Sequence, residues 1–168
     1  MKIILSVDSI KFPLTGIGRY TYELAKHLKL RDDLELLLFS KGNFIRDLIT
    51  SNQTKTKNYA WLRSLLIKSD LVVSAYQSIS KIKSLNSLRV HSDAIFHGPG
   101  FYLPEFNGPS VATFHDLSIF THSQYHPPER VRFMQRELML TLERASMLIT
   151  DSEYIRQELA AYFSYPLN

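Results

Sequence analysis

The chain contains no cysteine. That excludes disulfides, thiolate metal sites and a cysteine nucleophile, and it fits a reducing compartment. No apolar run approaches the roughly 20 residues that a membrane-spanning helix requires. Between Met1-Lys2 and Asp8 lie only Ile3 to Val7, too few for the apolar core of a secretory signal. A soluble, cytoplasmic protein is the expectation. There is no internal repeat and no low-complexity tract. Also missing are the Gly-x-Ser-x-Gly elbow of serine hydrolases, the Gly-Lys-Ser/Thr that closes a Walker A loop, and any recognisable nucleic-acid-binding motif.

What is there is ordinary for a globular protein. The chain has 168 residues, 45% of them hydrophobic and 21% charged, enough for one domain with a real core. Its formal charge of +4 conceals an asymmetry. Residues 1–89 carry 15 Lys+Arg against 7 Asp+Glu, whereas residues 90–168 carry 5 against 9. Lys55, Lys57, Lys68, Lys81 and Lys83 belong to the basic half. Such a surface suits phosphates or an anionic membrane, or is simply solvated; both readings stay open. Nucleic acid is set aside for want of a motif.

Along the chain, apolar runs alternate with helical periodicity. Lys2 to Val7 reads as a first, central strand ending at Asp8. Ser9 to Gly16 is a loop broken by Pro13 and Gly16. Ile17, Tyr20, Leu24 and Leu28 then recur at helical spacing and predict a buried stripe. Leu34 to Phe39 is a second strand. Phe44, Leu48 and Ile49 suggest a short helix, Ser51 to Asn58 a polar loop, Tyr59 to Lys68 another helix, and Leu71 to Ser74 a strand or an apolar turn. Ala94-Ile95-Phe96 and Val111 to Phe114 are short strands, followed by a loop over Ser118 to Pro128. Pro127-Pro128 opens a long helix with Val131, Met134, Leu138, Leu142 and Ala145 inward. Met147 to Thr150 is a last strand, and Asp151 or Ser152 caps a final helix with Ile155 and Leu159 inward. The alternation predicts a doubly wound, mostly parallel α/β sheet, with Ile3, Leu5, Leu36, Leu38, Ile95, Val111 and Leu148 in its core.

In such a sheet ligands bind outside the carboxyl ends of the strands. Three candidate stretches fall there: Gly16-Ile17-Gly18-Arg19-Tyr20, His97-Gly98-Pro99-Gly100, and His115-Asp116. The glycines permit close approach of backbone N–H groups to an anion at a helix start. The loop is not the dinucleotide fingerprint, because Thr21 stands where a third glycine belongs. A plain loop-to-helix junction explains it equally well. His115-Asp116 is placed for chemistry, or is a loop histidine capped by its neighbour. His115, Asp116, His122 and His126 also invite a metal reading, but Pro127-Pro128 argues against a helix that would bring His122 and His126 together, so no metal is expected.

Taken in order, Asp8…Thr15-Gly16-Ile17-Gly18-Arg19-Tyr20, Phe96-His97-Gly98-Pro99, Thr113-Phe114-His115-Asp116-Leu117 and Leu148-Ile149-Thr150-Asp151-Ser152-Glu153 resemble the N-terminal half of family 4 retaining glycosyltransferases. Within that family the pattern is most similar to bacterial mannosyltransferases of O-antigen and related polysaccharides. The resemblance covers nearly the whole chain, most clearly residues 94–159 and least 40–90. It implies one half of a GT-B fold, a single Rossmann-like acceptor domain over residues 1–168 whose donor domain is absent. It also implies a nucleotide-sugar co-substrate, GDP-mannose, a saccharide or lipid-linked acceptor, and no resident cofactor. Carried over by position, Gly16 and Gly18 lie against the donor diphosphate or acceptor, with Arg19 and Tyr20 nearby. His115 stands beside the transferring sugar, Asp116 shapes its loop, and His97, Gly98, Asp151 and Ser152 line the cleft.

The family's donor motif, two glutamates separated by seven residues, belongs to the half not present. Glu129 and Glu137 share this spacing, but they sit ~80° apart around a helix, and both are expected on its solvated surface. The expected activity of this half alone is nil, and an apolar patch is expected where a second half would pack. A free-standing α/β module that binds a sugar or phosphorylated ligand without catalysis is the other reading. For His115 the catalytic reading expects little effect of its removal on stability, whereas the capped-histidine reading expects the domain to be destabilised.

Overall fold

The structure, a computed structural model, describes residues 1–48 and 82–166. The expected polar loop, helix and strand between Ser51 and Ser74 lie outside the described residues. The described elements are β1 (Lys2–Ser6), α1 (Gly16–Leu28), β2 (Glu35–Ser40), β3 (Asn43–Ile45), β4 (Ile95–Gly98), β5 (Ser110–Phe114), α2 (Ser118–Thr121), α3 (Pro128–Arg144), β6 (Met147–Thr150) and α4 (Glu153–Phe163). They form a six-stranded sheet in the order β3-β2-β1-β4-β5-β6. All neighbours pair in parallel except β2 with β3. This is the doubly wound α/β fold expected. The chain reverses direction across the sheet at β1, so the switch point lies between β1 and β4.

Register shows what each face buries. Ile3 pairs with Leu36 and Ile95, and Ile4 with Leu37 and Phe96, so successive residues serve opposite faces. One face carries Ile4, Phe39, Phe96, Ala112 and Phe114 in a cluster with Leu138 of α3 and Leu159 of α4. The other carries Leu5, Val7 and Leu38 against Ala25 of α1. The core is therefore deepest on the face from which the sequence reading chose only Leu148. Of the residues it chose, Leu5 and Leu38 are fully buried; Ile3, Leu36, Ile95, Val111 and Leu148 are half-buried. The first face carries two long helices, while α1 is the helix that packs on the second among the described residues. Towards β6 that second face opens, and Met147 is 61% and Ile149 37% exposed.

Three local expectations are corrected. Phe44 lies in the short strand β3 rather than in a helix, because the turn at Lys41 (φ 48°) and Gly42 (φ 80°) sends the chain straight back along β2. The deepest positions of α1 are Gly18, Thr21 and Ala25. Ile17, Tyr20, Leu24 and Leu28 flank them half-buried, since small side chains let the helix press closest to its neighbours. The stretch read as a loop after β5 contains α2 and a 3-10 turn at Ser123–Tyr125.

The long helix begins with Pro128 in its first turn, as read. Leu138 is buried in the cluster, and Val131, Met134, Leu142 and Ala145 pack around it. Glu129 is exposed, but Glu137 is buried at 3% exposure rather than solvated. It shares its stripe with Thr141 and Arg144, which grip the loop after β4. Thr141 Oγ1 accepts from Leu103 N at 3.2 Å, and Arg144 Nη1 donates to Leu103 O at 2.9 Å.

Candidate functional site

His115 follows the last residue of β5 and is held from three sides. Its Nδ1 lies 2.6 Å from Asp151 Oδ2 and its Nε2 2.8 Å from the Pro99 carbonyl oxygen. The Tyr20 ring meets the imidazole edge to face, with centroids 5.0 Å apart. The side chain is 13% exposed. Both partners are acceptors: a neutral imidazole can donate to one of them, and the doubly protonated ring to both. Three strand ends and the first turns of α1 therefore meet at one side chain.

Local sequence accounts for each contact. Phe114 pairs with Thr150 in the parallel register of β5 and β6, so the next residues, His115 and Asp151, emerge side by side. Ser152 then caps α4, its side chain accepting from Ile155 N at 3.3 Å, which fixes the chain just beyond Asp151. Pro99 is presented by a tight reversal after β4. A Cβ on Gly98 would lie 2.2 Å from the Tyr102 carbonyl oxygen, so only glycine lets the chain fold back this closely. Phe101 takes a left-handed conformation (φ 56°) in this reversal, and its N–H reaches Thr113 O at 2.9 Å.

The other candidates have separate tasks. Asp116 is not the carboxylate that holds His115. Its Oδ1 accepts from the backbone N and hydroxyl of Ser118, at 2.8 and 2.6 Å, and so shapes the turn into α2. His97 lies one position inside β4 on the sheet face, with Nε2 2.9 Å from Thr113 Oγ1. Burial pushes its pKa down to about 4, so it is neutral at physiological pH.

In the glycine loop, Thr15 caps α1 by accepting from Gly18 N. A Cβ on Gly18 would lie 2.8 Å from Ser9 O, so this glycine answers to packing between helix and loop. Gly16 faces open space, with nothing within 4 Å of a Cβ placed there. Arg19 is exposed and pairs with Glu23 at 3.6 Å, one turn along the helix. Among the described residues no three His, Asp or Glu side chains gather as a metal site. His122 instead stacks on Tyr125, with ring centroids 6.3 Å apart.

Sequence reasoning named both His115 and Asp151 but did not join them. The signal was present, since each residue directly follows an apolar strand and the two strands are consecutive in the predicted sheet. It missed entirely a small hollow on the same sheet edge, lined by Asp8, Lys41 and Tyr102 among others.

Comparison with known proteins agrees with this architecture. The model of Glycosyltransferase Family 4 matches residues 14–167. The O-antigen chain mannosyltransferase B of Escherichia coli is 40% identical over 170 residues, spanning 99% of this chain and 45% of that protein. The chain thus spans about half the length of the curated relative it matches. No solved structure matches it. A doubly wound α/β domain whose residues 14–167 fit the family model, with such a relative along nearly its whole length, belongs to Glycosyltransferase Family 4.

Proposed function

We propose that this chain is the acceptor half of a retaining mannosyltransferase, which moves mannose from GDP-mannose onto a growing cell-surface polysaccharide or lipid-linked oligosaccharide. The nucleotide end of the donor is assigned to a second half, corresponding to the part of the relative that this chain does not span. One observation carries the reading: an imidazole at the sheet's carboxyl edge has Nδ1 fixed by a carboxylate and Nε2 on a backbone carbonyl. Asp151 orients the ring, and in the doubly protonated ring the Nε2–H that Pro99 O accepts is the group a sugar hydroxyl can take over. An N–H so directed stabilises negative charge, so on the sugar it serves a hydroxyl oxygen and not the electron-poor anomeric carbon. Tyr20 limits rotation of the ring, and Gly16 leaves room for the donor to approach the start of α1. Departure of the diphosphate needs cationic groups that this reading assigns to the second half.

The 168-residue chain alone is therefore expected to leave GDP-mannose intact. Turnover by this chain, abolished in His115→Ala, would overturn the division of labour. Supplied with its second half, His115→Ala should lose ~10²–10³ in turnover per folded molecule, a magnitude typical for one aligned donor, while donor affinity changes far less. Unchanged turnover per folded molecule would remove the catalytic role of His115. Tight calorimetric binding of GDP-mannose by this chain alone would instead favour a non-catalytic binding module.

The same reading puts the protein in the cytoplasm at the inner face of the membrane, with the basic residues 1–89 towards anionic lipid. No helix of the described residues is long and apolar enough to cross a membrane. Co-sedimentation with phosphatidylglycerol vesicles, lost at high salt, is expected; equal sedimentation with neutral vesicles would refute it.

A further inference from the structure

The Pro99 carbonyl that meets His115 Nε2 belongs to the reversal over residues 98–104, and its place depends on how that reversal is held. At its start, Gly98 pairs with Ala112 at the end of β4. At its tip, Phe101 N donates to Thr113 O at 2.9 Å. A third hold comes from the peptide that joins Tyr102 to Leu103. Its carbonyl oxygen lies so close to Gly98 that a Cβ there would come within 2.2 Å. Its N–H donates to Thr141 Oγ1, in α3, at 3.2 Å.

One planar unit therefore bears on Gly98 at one end and on Thr141 at the other. The C=O and N–H of a trans peptide point in opposite directions, so whatever fixes the N–H also sets where the oxygen lies. Pro99 is the residue next to Gly98, and its own carbonyl reaches the imidazole. Thr141 and Leu103 are both fully buried, so solvent does not stand in for the threonine hydroxyl. With that hydroxyl gone, the Leu103 N–H is left unpaired, and the cost drives the peptide to turn towards another acceptor. Turning it swings the oxygen off Gly98 and loosens the reversal beside Pro99. The next peptide is held as well, since Arg144 Nη1 donates to Leu103 O at 2.9 Å. Because β4 and Phe101 keep their own holds, the reversal shifts rather than unravels.

We propose that Thr141 is a positioning residue for His115. It keeps the Tyr102–Leu103 peptide against Gly98 and so sets the carbonyl that fixes the Nε2 side of the ring. Asp151 fixes the Nδ1 side independently, from the end of β6. The bearing of this on the transfer step rests on the reading of His115 given above, whereas the placement of the ring does not.

The test reads the ring itself. The 168-residue chain is isotope-labelled, and its imidazole nitrogen resonances are followed from pH ~5 to ~8, with each variant kept well below its unfolding midpoint. A residue that only stabilises the fold leaves these signals unmoved under such conditions. Thr141→Val keeps the shape of the side chain and removes the hydroxyl. It is expected to shift His115 Nε2 and to speed exchange of its proton with water ~3–10-fold, while Nδ1 moves less. Thr141→Ser, which keeps the hydroxyl, should return the signals to the wild-type positions. Unmoved Nε2 signals in Thr141→Val, or a serine variant displaced as far as the valine one, would overturn the proposal. Should Thr141→Val fail to fold, Arg144→Gln, at a partly exposed position, releases Leu103 O and is judged by the same Nε2 readout. Supplied with the second half, Thr141→Val should lower kcat ~10-fold and leave the KM for GDP-mannose little changed. Shifted signals with undiminished turnover would uphold the positioning and count against the role of His115 in transfer. Unshifted signals would overturn the positioning whatever the turnover.

Discussion

At the scale of single residues, two histidines on adjacent strands behave in opposite ways. His115 bridges Pro99 and Asp151, so its removal is expected to cost stability, where the catalytic reading of the sequence alone expects little change. The hydrogen bond to the Asp151 carboxylate alone suggests a loss of about 1–3 kcal/mol in His115→Ala. The capped-histidine reading predicts the same loss, which is why turnover per folded molecule is the measurement that separates them.

His97 makes a pH prediction. Its pKa is about 4 in the folded protein, against ~6.5 in the unfolded chain. Below pH ~6.5 the unfolded state therefore binds a proton that the folded state refuses. Its contribution is fully present above that pH and is lost as pH falls towards 4. Full expression of the shift amounts to about 3 kcal/mol. Urea unfolding at pH 7 and pH 4.5 should show this loss in the wild type and a smaller one in His97→Gln; equal losses would refute it. The sequence placed both histidines at strand ends. It could not give their protonation behaviour, because that depends on which face of the strand each occupies.

At the scale of elements, the loop after β4 is the piece on which the site depends. It meets His115 through Pro99, and α3 holds it further on at both polar atoms of the Leu103 peptide. Thr141 is fully buried, so Thr141→Val would leave the Leu103 N–H unpaired in the interior. A cost of about 1–3 kcal/mol in denaturant unfolding is expected; an unchanged midpoint would show that the clamp contributes little. The strands and the two long helices were legible because each carries one period over several residues. The clamp was not, since Thr141 and Arg144 lie outside the apolar stripe of α3 and nothing in their spacing points to Leu103. Glu137 was assigned to solvent as a charged helix residue ~80° around from Glu129. β3 was missed because three residues are too few to show a period, and the turn at Lys41-Gly42 carried the only signal.

At the scale of the whole molecule, strand order brings distant segments to one edge. His115 and Asp151 are 36 residues apart, and Asp8 and Lys41 33 apart, yet each pair hydrogen-bonds. Alternating strands and helices with right-handed crossovers predict this convergence before any coordinate is known. Side-chain choice at the edge then decides what binds there, and that is where sequence reading stopped. It identified the strand ends but not which of their residues face one another.

The opening of the sheet near β6 bears on handling the protein. β6 is the outer strand among the described residues, only four residues long, with Met147 and Ile149 exposed on one face. A short outer strand keeps its free backbone groups few, but this one bears no charge to repel a second strand. At high concentration, or while refolding, molecules should associate through this edge into particles without a fixed stoichiometry. Met147→Lys adds a charge at an exposed position without disturbing the buried cluster. It is expected to lower light scattering during refolding and to leave the unfolding midpoint in place. Scattering equal to that of the wild type would place the self-association elsewhere on the surface.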